Sequence, residues 1–138
     1  VELHDGTLML NMRSYTGRHR RAVATSRDGG LTWSPIAYDE TLVEPVCQAS
    51  LIRYGRRRPA WLLFSNPAST ERVNMTVRLS RDGGKSWAAS KTIHAGPSAY
   101  SNLVELDKGW VGLLYERGEQ HPYERIVFTR LPLSWLQK

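Results

Sequence analysis

The sequence is short of several features that would each name a class of protein. It has one cysteine, Cys47, so no intrachain disulfide can form, and a disulfide scaffold is excluded. It has no run of about 18 apolar residues, so no membrane-spanning segment is expected. Neither G-x-x-x-x-G-K-[ST] nor G-x-G-x-x-G occurs, which removes the common phosphate cradles. The four histidines, His4, His19, His94 and His121, show no ligand spacing, and with a lone cysteine no metal site and no cofactor are expected. Zinc-finger, RRM and helix-turn-helix signatures are missing, so nucleic acid is not an expected partner despite the basic charge. The chain opens on Val1-Glu2-Leu3-His4-Asp5-Gly6, a strand end entering a turn. This reads as a chain whose natural N-terminus is missing, and it leaves the compartment open.

What is present is basic and β-rich. The 138 residues suit one domain and carry 19 basic against 13 acidic side chains, net +6, which favours an anionic partner. The runs Arg18-His19-Arg20-Arg21 and Arg56-Arg57-Arg58 hold part of that charge and read first as solvated loops. Leu8, Leu10 and Met12 alternate onto one face of a strand, and Met75 to Leu79 alternates with period two. Ala60-Trp61-Leu62-Leu63-Phe64 is a continuous apolar run, as in a strand buried on both faces. Further strands are expected over 21–25, 110–115 and 126–129, with turns at Asp5-Gly6, Asp28-Gly29-Gly30, Asp82-Gly83-Gly84 and Lys108-Gly109. Only Leu133 to Leu136 suggests a helical turn.

One unit repeats. Ser26-Arg27-Asp28-Gly29-Gly30-Leu31-Thr32-Trp33 returns 54 residues later as Ser80-Arg81-Asp82-Gly83-Gly84-Lys85-Ser86-Trp87, with six of eight positions identical. The Asp can accept from the N–H groups of its own turn, the Ser and Thr can bond locally, and Gly supplies positive φ. The closing Trp is expected to pack back on its blade. A repeat of roughly 40–50 residues holding about four strands is the mark of a propeller blade.

The Ser-x-Asp-x-Gly-x-Thr-Trp pattern resembles the Asp-box of sialidases, and other stretches extend the resemblance. They are Val1-Glu2-Leu3, Asn11-Met12-Arg13-Ser14, Pro45-Val46-Cys47-Gln48-Ala49-Ser50, Leu63-Phe64-Ser65-Asn66-Pro67 with Arg72, Ser98-Ala99-Tyr100-Ser101 and Leu114-Tyr115-Glu116, in family order over all 138 residues. The resemblance implies an all-β, six-bladed propeller. Residues 1–138 would be the C-terminal part of that domain, with Asp-boxes at 26–33 and 80–87, covering the last two to three blades. It also implies an exo-α-sialidase that hydrolyses terminal sialic acid from glycoconjugates with retention.

Roles follow from the same resemblance. Tyr100 matches the nucleophile, in keeping with the use of Tyr by sialidases in place of a carboxylate. A carboxylate nucleophile would be repelled by the acid group on the anomeric carbon, whereas a phenol approaches neutral. A phenol ordinarily titrates near about pH 10 and needs a base, and Glu2 matches that partner. Arg21 and Arg72, five residues before Ser26 and eight before Ser80, match two members of an arginine triad that grips the carboxylate bidentately. Arg20 and Arg78 are their rivals, and Arg78 is read as an outward strand residue. Glu116 matches the acid that orients the first triad Arg, with Glu124 as competitor, and Gln48 matches a contact to the sugar's polar tail.

The first triad Arg and the general-acid Asp have no counterpart, so the remainder of the propeller is needed for a complete site and little turnover is expected from these residues alone. A non-catalytic Asp-box propeller that binds glycan or protein is the rival class, and a trans-sialidase is a second rival. Tyr100, Glu2, Arg21 and Arg72 argue against a mere scaffold.

Overall fold

The structure, a computed structural model, describes residues 1–56 and 60–137. Arg57 and Arg58 of the second basic run lie outside the described residues. Among the described residues, nine strands, β1 (Leu8–Met12), β2 (Arg20–Ser26), β3 (Ala37–Val43), β4 (Ser50–Tyr54), β5 (Trp61–Pro67), β6 (Val73–Ser80), β7 (Ala89–Glu105), β8 (Trp110–Arg117) and β9 (Arg125–Pro132), with a 3-10 turn at Asp107–Gly109 between β7 and β8, precede a short α-helical turn, α1 (Leu133–Leu136). All pairings between neighbouring strands are antiparallel. The first sheet is β1-β2-β3, and the remaining strands follow in order from β4 to β9. The 17-residue β7 pairs with β6 through its first half and with β8 through its second, so it passes from a second sheet into a third. Three antiparallel sheets in succession are part of a β-propeller.

Alternation along β5 and β6 explains the packing. Leu63, Met75, Val77 and Leu79 face the third sheet and join Leu103, Val111, Leu113 and Tyr115 in one core, closed at the bottom by Leu133 and Leu136 of α1. Leu62 and Phe64 point the other way and are equally buried. Arg78 lies on that second face and is buried, not outward. The reason is architectural: the back of a central blade strand meets the preceding blade rather than water. Nη1 of Arg78 donates to Asn66 Oδ1 at 3.1 Å, and Asn66 Nδ2 donates to the Val43 carbonyl of β3 at 2.8 Å.

Both Asp-boxes close as their residues require. Asp28 Oδ1 accepts from Ser26 Oγ at 2.7 Å and from the Thr32 N–H at 2.9 Å, and Asp82 Oδ1 accepts from Ser80 Oγ at 2.8 Å and the Ser86 N–H at 2.9 Å. The Thr32 hydroxyl, donating to Asp28 Oδ2, and then the Thr32 N–H and Ser26 Oγ hold Asp28 below the usual carboxylate range; at Asp82 burial pulls upward, and the Ser86 hydroxyl and N–H with Ser80 Oγ outweigh it. Gly30 and Gly84 take φ of +93° and +88°. The two tryptophans then diverge. Trp33 folds back and donates Nε1–H to the Gly30 carbonyl at 3.1 Å. Trp87 packs on Phe64, 5.6 Å between ring centroids, and donates across to Asp39 Oδ2 of β3 at 2.8 Å. The second box therefore ties the second sheet to the first.

The outer face of the third sheet leaves Val104, Leu114, Ile126 and Phe128 uncovered, and Leu10 is exposed on β1. This contrast between the boxes is testable by denaturant unfolding. Trp87→Phe removes an inter-sheet hydrogen bond and is expected to cost about 1 kcal/mol. Trp33→Phe, at the surface, is expected to stay within about 0.5 kcal/mol of wild type. Equal losses would contradict the latching role of Trp87.

Candidate active site

Tyr100 sits where the β7–β8 ladder slips. Ser98 pairs with Arg117 and Ser101 with Tyr115, so three steps on β7 oppose two on β8. A bulge of this kind re-aims a side chain and leaves backbone groups without ladder partners. Here those groups are answered by side chains. Glu116 Oε2 accepts the Tyr100 N–H at 3.0 Å. Gln48 Oε1 accepts the Ser101 N–H at 2.9 Å, and Gln48 Nε2 donates to the Ser101 carbonyl at 2.9 Å. The phenol is left 41% exposed, on the rim of a hollow of about 390 Å³ that it shares with Asn11, Arg13, Arg21, Gln48 and Ala49.

Gln48 has little left for a ligand. Its second amide N–H goes to the Ala49 carbonyl at 3.0 Å, so only a lone pair on Oε1 remains. Its position explains the bulge better than it explains a sugar contact. Glu116 Oε1 takes part in no hydrogen bond or ion pair among the described residues.

Arg21 enters the hollow from β2 and is 3% exposed. Its Nε donates to Asn11 Oδ1 at 2.7 Å, its Nη2 to the Asn11 carbonyl at 3.1 Å and its Nη1 to the Cys47 carbonyl at 2.8 Å. Behind it lies Glu44, fully buried, with Oε2 3.6 Å from Nη1. Burial pulls the Arg21 pKa below its ordinary value, and Glu44 works against that pull. Arg20 instead turns to the surface, where Nε pairs with Glu40 at 3.3 Å.

Arg72 is held between two phenols. Its Cζ lies 5.7 Å from the Tyr100 ring centroid and 5.8 Å from that of Tyr123. Nη1 donates to Tyr123 Oη, and Nη2 donates to the Val46 carbonyl at 3.4 Å. Among the described residues three of its five N–H donors have no hydrogen-bond partner. Val46 adopts φ of +54°, uncommon and costly for a β-branched residue. That twist lets consecutive carbonyls, Val46 and Cys47, turn to Arg72 and Arg21 respectively.

Glu2 is not on this hollow. Residues 1–9 form a short extra pairing, with the Met9 N–H donating to the Val1 carbonyl at 2.8 Å. The Glu2 carboxylate is exposed and takes part in no hydrogen bond or ion pair among the described residues. Among the described residues no three metal-ligating side chains come together, and no helix is long and apolar enough to cross a membrane.

Sequence reasoning missed Glu44, Val46 and Tyr123. Glu44 carried one signal, an acid at the end of the apolar Leu42-Val43 pair. Tyr123 carried none beyond its neighbour Glu124, whose carboxylate accepts the N–H groups of Glu119, Gln120 and His121 at 3.1, 2.8 and 2.7 Å. Glu124 thus folds the β8–β9 loop that brings Tyr123 to Arg72.

Residues 1–113 match a family model described as the BNR repeat-like domain. A sialidase of Micromonospora viridifaciens is 41% identical over 99% of this chain and 21% of its own length. One from Bacteroides fragilis is 38% identical over 88% of the chain and 24% of its length. Among solved structures, the Hadza microbial sialidase Hz136 superposes with TM-score 0.81 at 39% identity, over 95% of this chain and 26% of that one. A leech intramolecular trans-sialidase superposes with TM-score 0.83 at 26% identity, over 98% and 23%. The fold is thus part of a sialidase-type β-propeller. The chain belongs to the BNR-repeat sialidase family, and it spans about a quarter or less of the length of these relatives.

The loop makes a pH prediction. Its three backbone hydrogen bonds lower the Glu124 pKa from 4.5 to about 2. A depressed carboxylate stabilises above its unfolded pKa and loses that contribution as pH falls through the folded one, so the window is pH 4.5 down to about 2. Carboxyl-detected NMR should show Glu124 titrating near the bottom of that window. A midpoint above 4 would contradict the loop structure.

Proposed function

We propose that this chain forms one side of the active site of an exo-α-sialidase that releases terminal sialic acid with retention. The observation that carries the reading is the re-aimed Tyr100 phenol, set beside Arg72 and on the same hollow as Arg21. Tyr100 Oη attacks the anomeric carbon and gives its proton to a base; the family resemblance assigns that part to Glu2, whose carboxylate lies off the hollow here and must approach the phenol for the step. Arg21 and Arg72 hold the sugar's carboxylate. A general-acid Asp and a third Arg, supplied from outside these 138 residues, protonate the leaving oxygen and complete the clamp. Water then attacks the anomeric carbon, the bond to Tyr100 Oη breaks, the general-acid Asp, now a carboxylate, takes the water's proton, and Tyr100 Oη recovers its own proton from the base. Glu116 holds the Tyr100 N–H and Gln48 the Ser101 backbone, and the other oxygen of Glu116 faces the third Arg. The uncovered faces around Leu10 and around Leu114 and Phe128 suit burial by further blades.

The likeness to a leech intramolecular trans-sialidase keeps a second outcome in play, in which a hydroxyl of the sugar itself replaces water. NMR of the products separates a free sialic acid from an anhydro product.

In the full-length protein, Tyr100→Phe is expected to lower kcat on a fluorogenic sialoside by on the order of a thousandfold or more. Unchanged hydrolysis would remove Tyr100 from the mechanism.

A further inference from the structure

The buried Glu44 carboxylate acts in two directions. Oε2 faces Arg21 and accepts the Cys47 N–H at 2.9 Å, while Oε1 accepts the Ser14 N–H at 2.9 Å. The second bond pins the loop that follows β1, and Ser14 Oγ is tied to Thr16 Oγ1 at 2.9 Å. On either side of Ser14 stand Arg13 and Tyr15. Pinning Ser14 therefore fixes where they project. Arg13 lines the hollow with Arg21 and Tyr100, and its Cζ lies 5.3 Å from the Tyr15 ring centroid. The Tyr15 ring is 74% exposed.

The charges on this hollow do not balance. Arg21 has the Glu44 carboxylate, and Arg72, beside the hollow against Tyr100, is bonded only by neutral groups, Tyr123 Oη and the Val46 carbonyl. Arg13 has no hydrogen bond or ion pair among the described residues, yet it is near enough to weigh against the charge on Arg21. Two guanidinium groups on one concave surface repel unless an anion lies between or beside them. A single sialoside brings one carboxylate, which Arg21, Arg72 and the third Arg of the proposed clamp hold. Arg13 is cationic capacity beyond that need, paired with an aromatic face of the kind that covers the apolar side of a sugar ring.

We propose that Arg13 and Tyr15 form an outer subsite for a second acidic sugar, so that the site prefers glycans in which the terminal sialic acid is joined to another sialic acid. The proposal rests on the sialidase reading above. Arg13 meets the carboxylate of the inner sugar, and Tyr15 lies against its ring. Because Arg13 is at the rim, its contribution is that of an exposed ion pair, worth roughly a threefold to fivefold preference that fades as salt is raised.

The test uses the full-length protein carrying Tyr100→Phe, to block turnover, with calorimetric binding of disialyllactose and of 3′-sialyllactose. The disialyl glycan is expected to bind roughly threefold to fivefold more tightly. Adding Arg13→Gln should erase that margin while leaving 3′-sialyllactose nearly unchanged, and Arg13→Lys should keep part of it. An equal weakening of both glycans would mean general attraction of anions, and would overturn the subsite. No change in either would overturn it as well. If the unsubstituted protein cleaves 3′-sialyllactose yet shows no disialyl preference, the subsite falls and the sialidase reading stands. If it neither binds nor cleaves either glycan, both fall.

Discussion

Glu44 has no solvent to stabilise its charge, and both of its oxygens are engaged on the site. One oxygen meets Arg21 and the Cys47 N–H, and the other meets the Ser14 N–H. Removing one member of such a buried pair typically costs about 3–5 kcal/mol, because the other charge is left uncompensated. The carboxylate therefore decides three things together: where Arg21 points, how the chain turns after Pro45, and where the β1–β2 loop stands. The strained Val46 belongs to the same arrangement, since its φ of +54° turns two consecutive carbonyls onto Arg72 and Arg21. Strain of this kind persists only where its surroundings over-determine it.

The opposite wall is built on a different principle. Arg21 is placed by a buried charge, whereas Tyr100 is placed by a break in a β-ladder. The bulge frees the Tyr100 and Ser101 backbone, and Glu116 and Gln48 take up what it frees. The side chain is thus rigid at its root and open at its tip. Arg72 bridges the two walls, between the Tyr100 and Tyr123 rings, with the loop under Tyr123 held by Glu124.

How much of this the residues disclosed depends on range. The Asp-boxes were fully legible, because Ser26, Asp28 and Thr32 satisfy one another within a few residues and the second box repeats the pattern. Strands with clean alternation, such as β6, were equally plain. β3 was not, because Ala37–Val43 mixes Asp and Glu with apolar residues, and β7 was hidden by Gly96 and Pro97 at its bend. Arg78 was misjudged because alternation tells two faces apart without telling which meets water. The supports of the site were the least visible. Glu44 reaches Ser14 across 30 positions, and Gln48 reaches Ser101 across 53, so no local pattern announces either.

The proposed mechanism requires a covalent bond at Tyr100 Oη. A sialosyl fluoride bearing an additional electron-withdrawing fluorine on the ring destabilises the cationic transition state of both steps, while its fluoride leaving group keeps the first step fast, so the glycosyl-enzyme accumulates. Peptide mapping by mass spectrometry of the full-length protein treated with this reagent should place the added sugar on the peptide containing Tyr100. An adduct on another residue, or turnover of the reagent with no adduct under denaturing quench, would contradict the account.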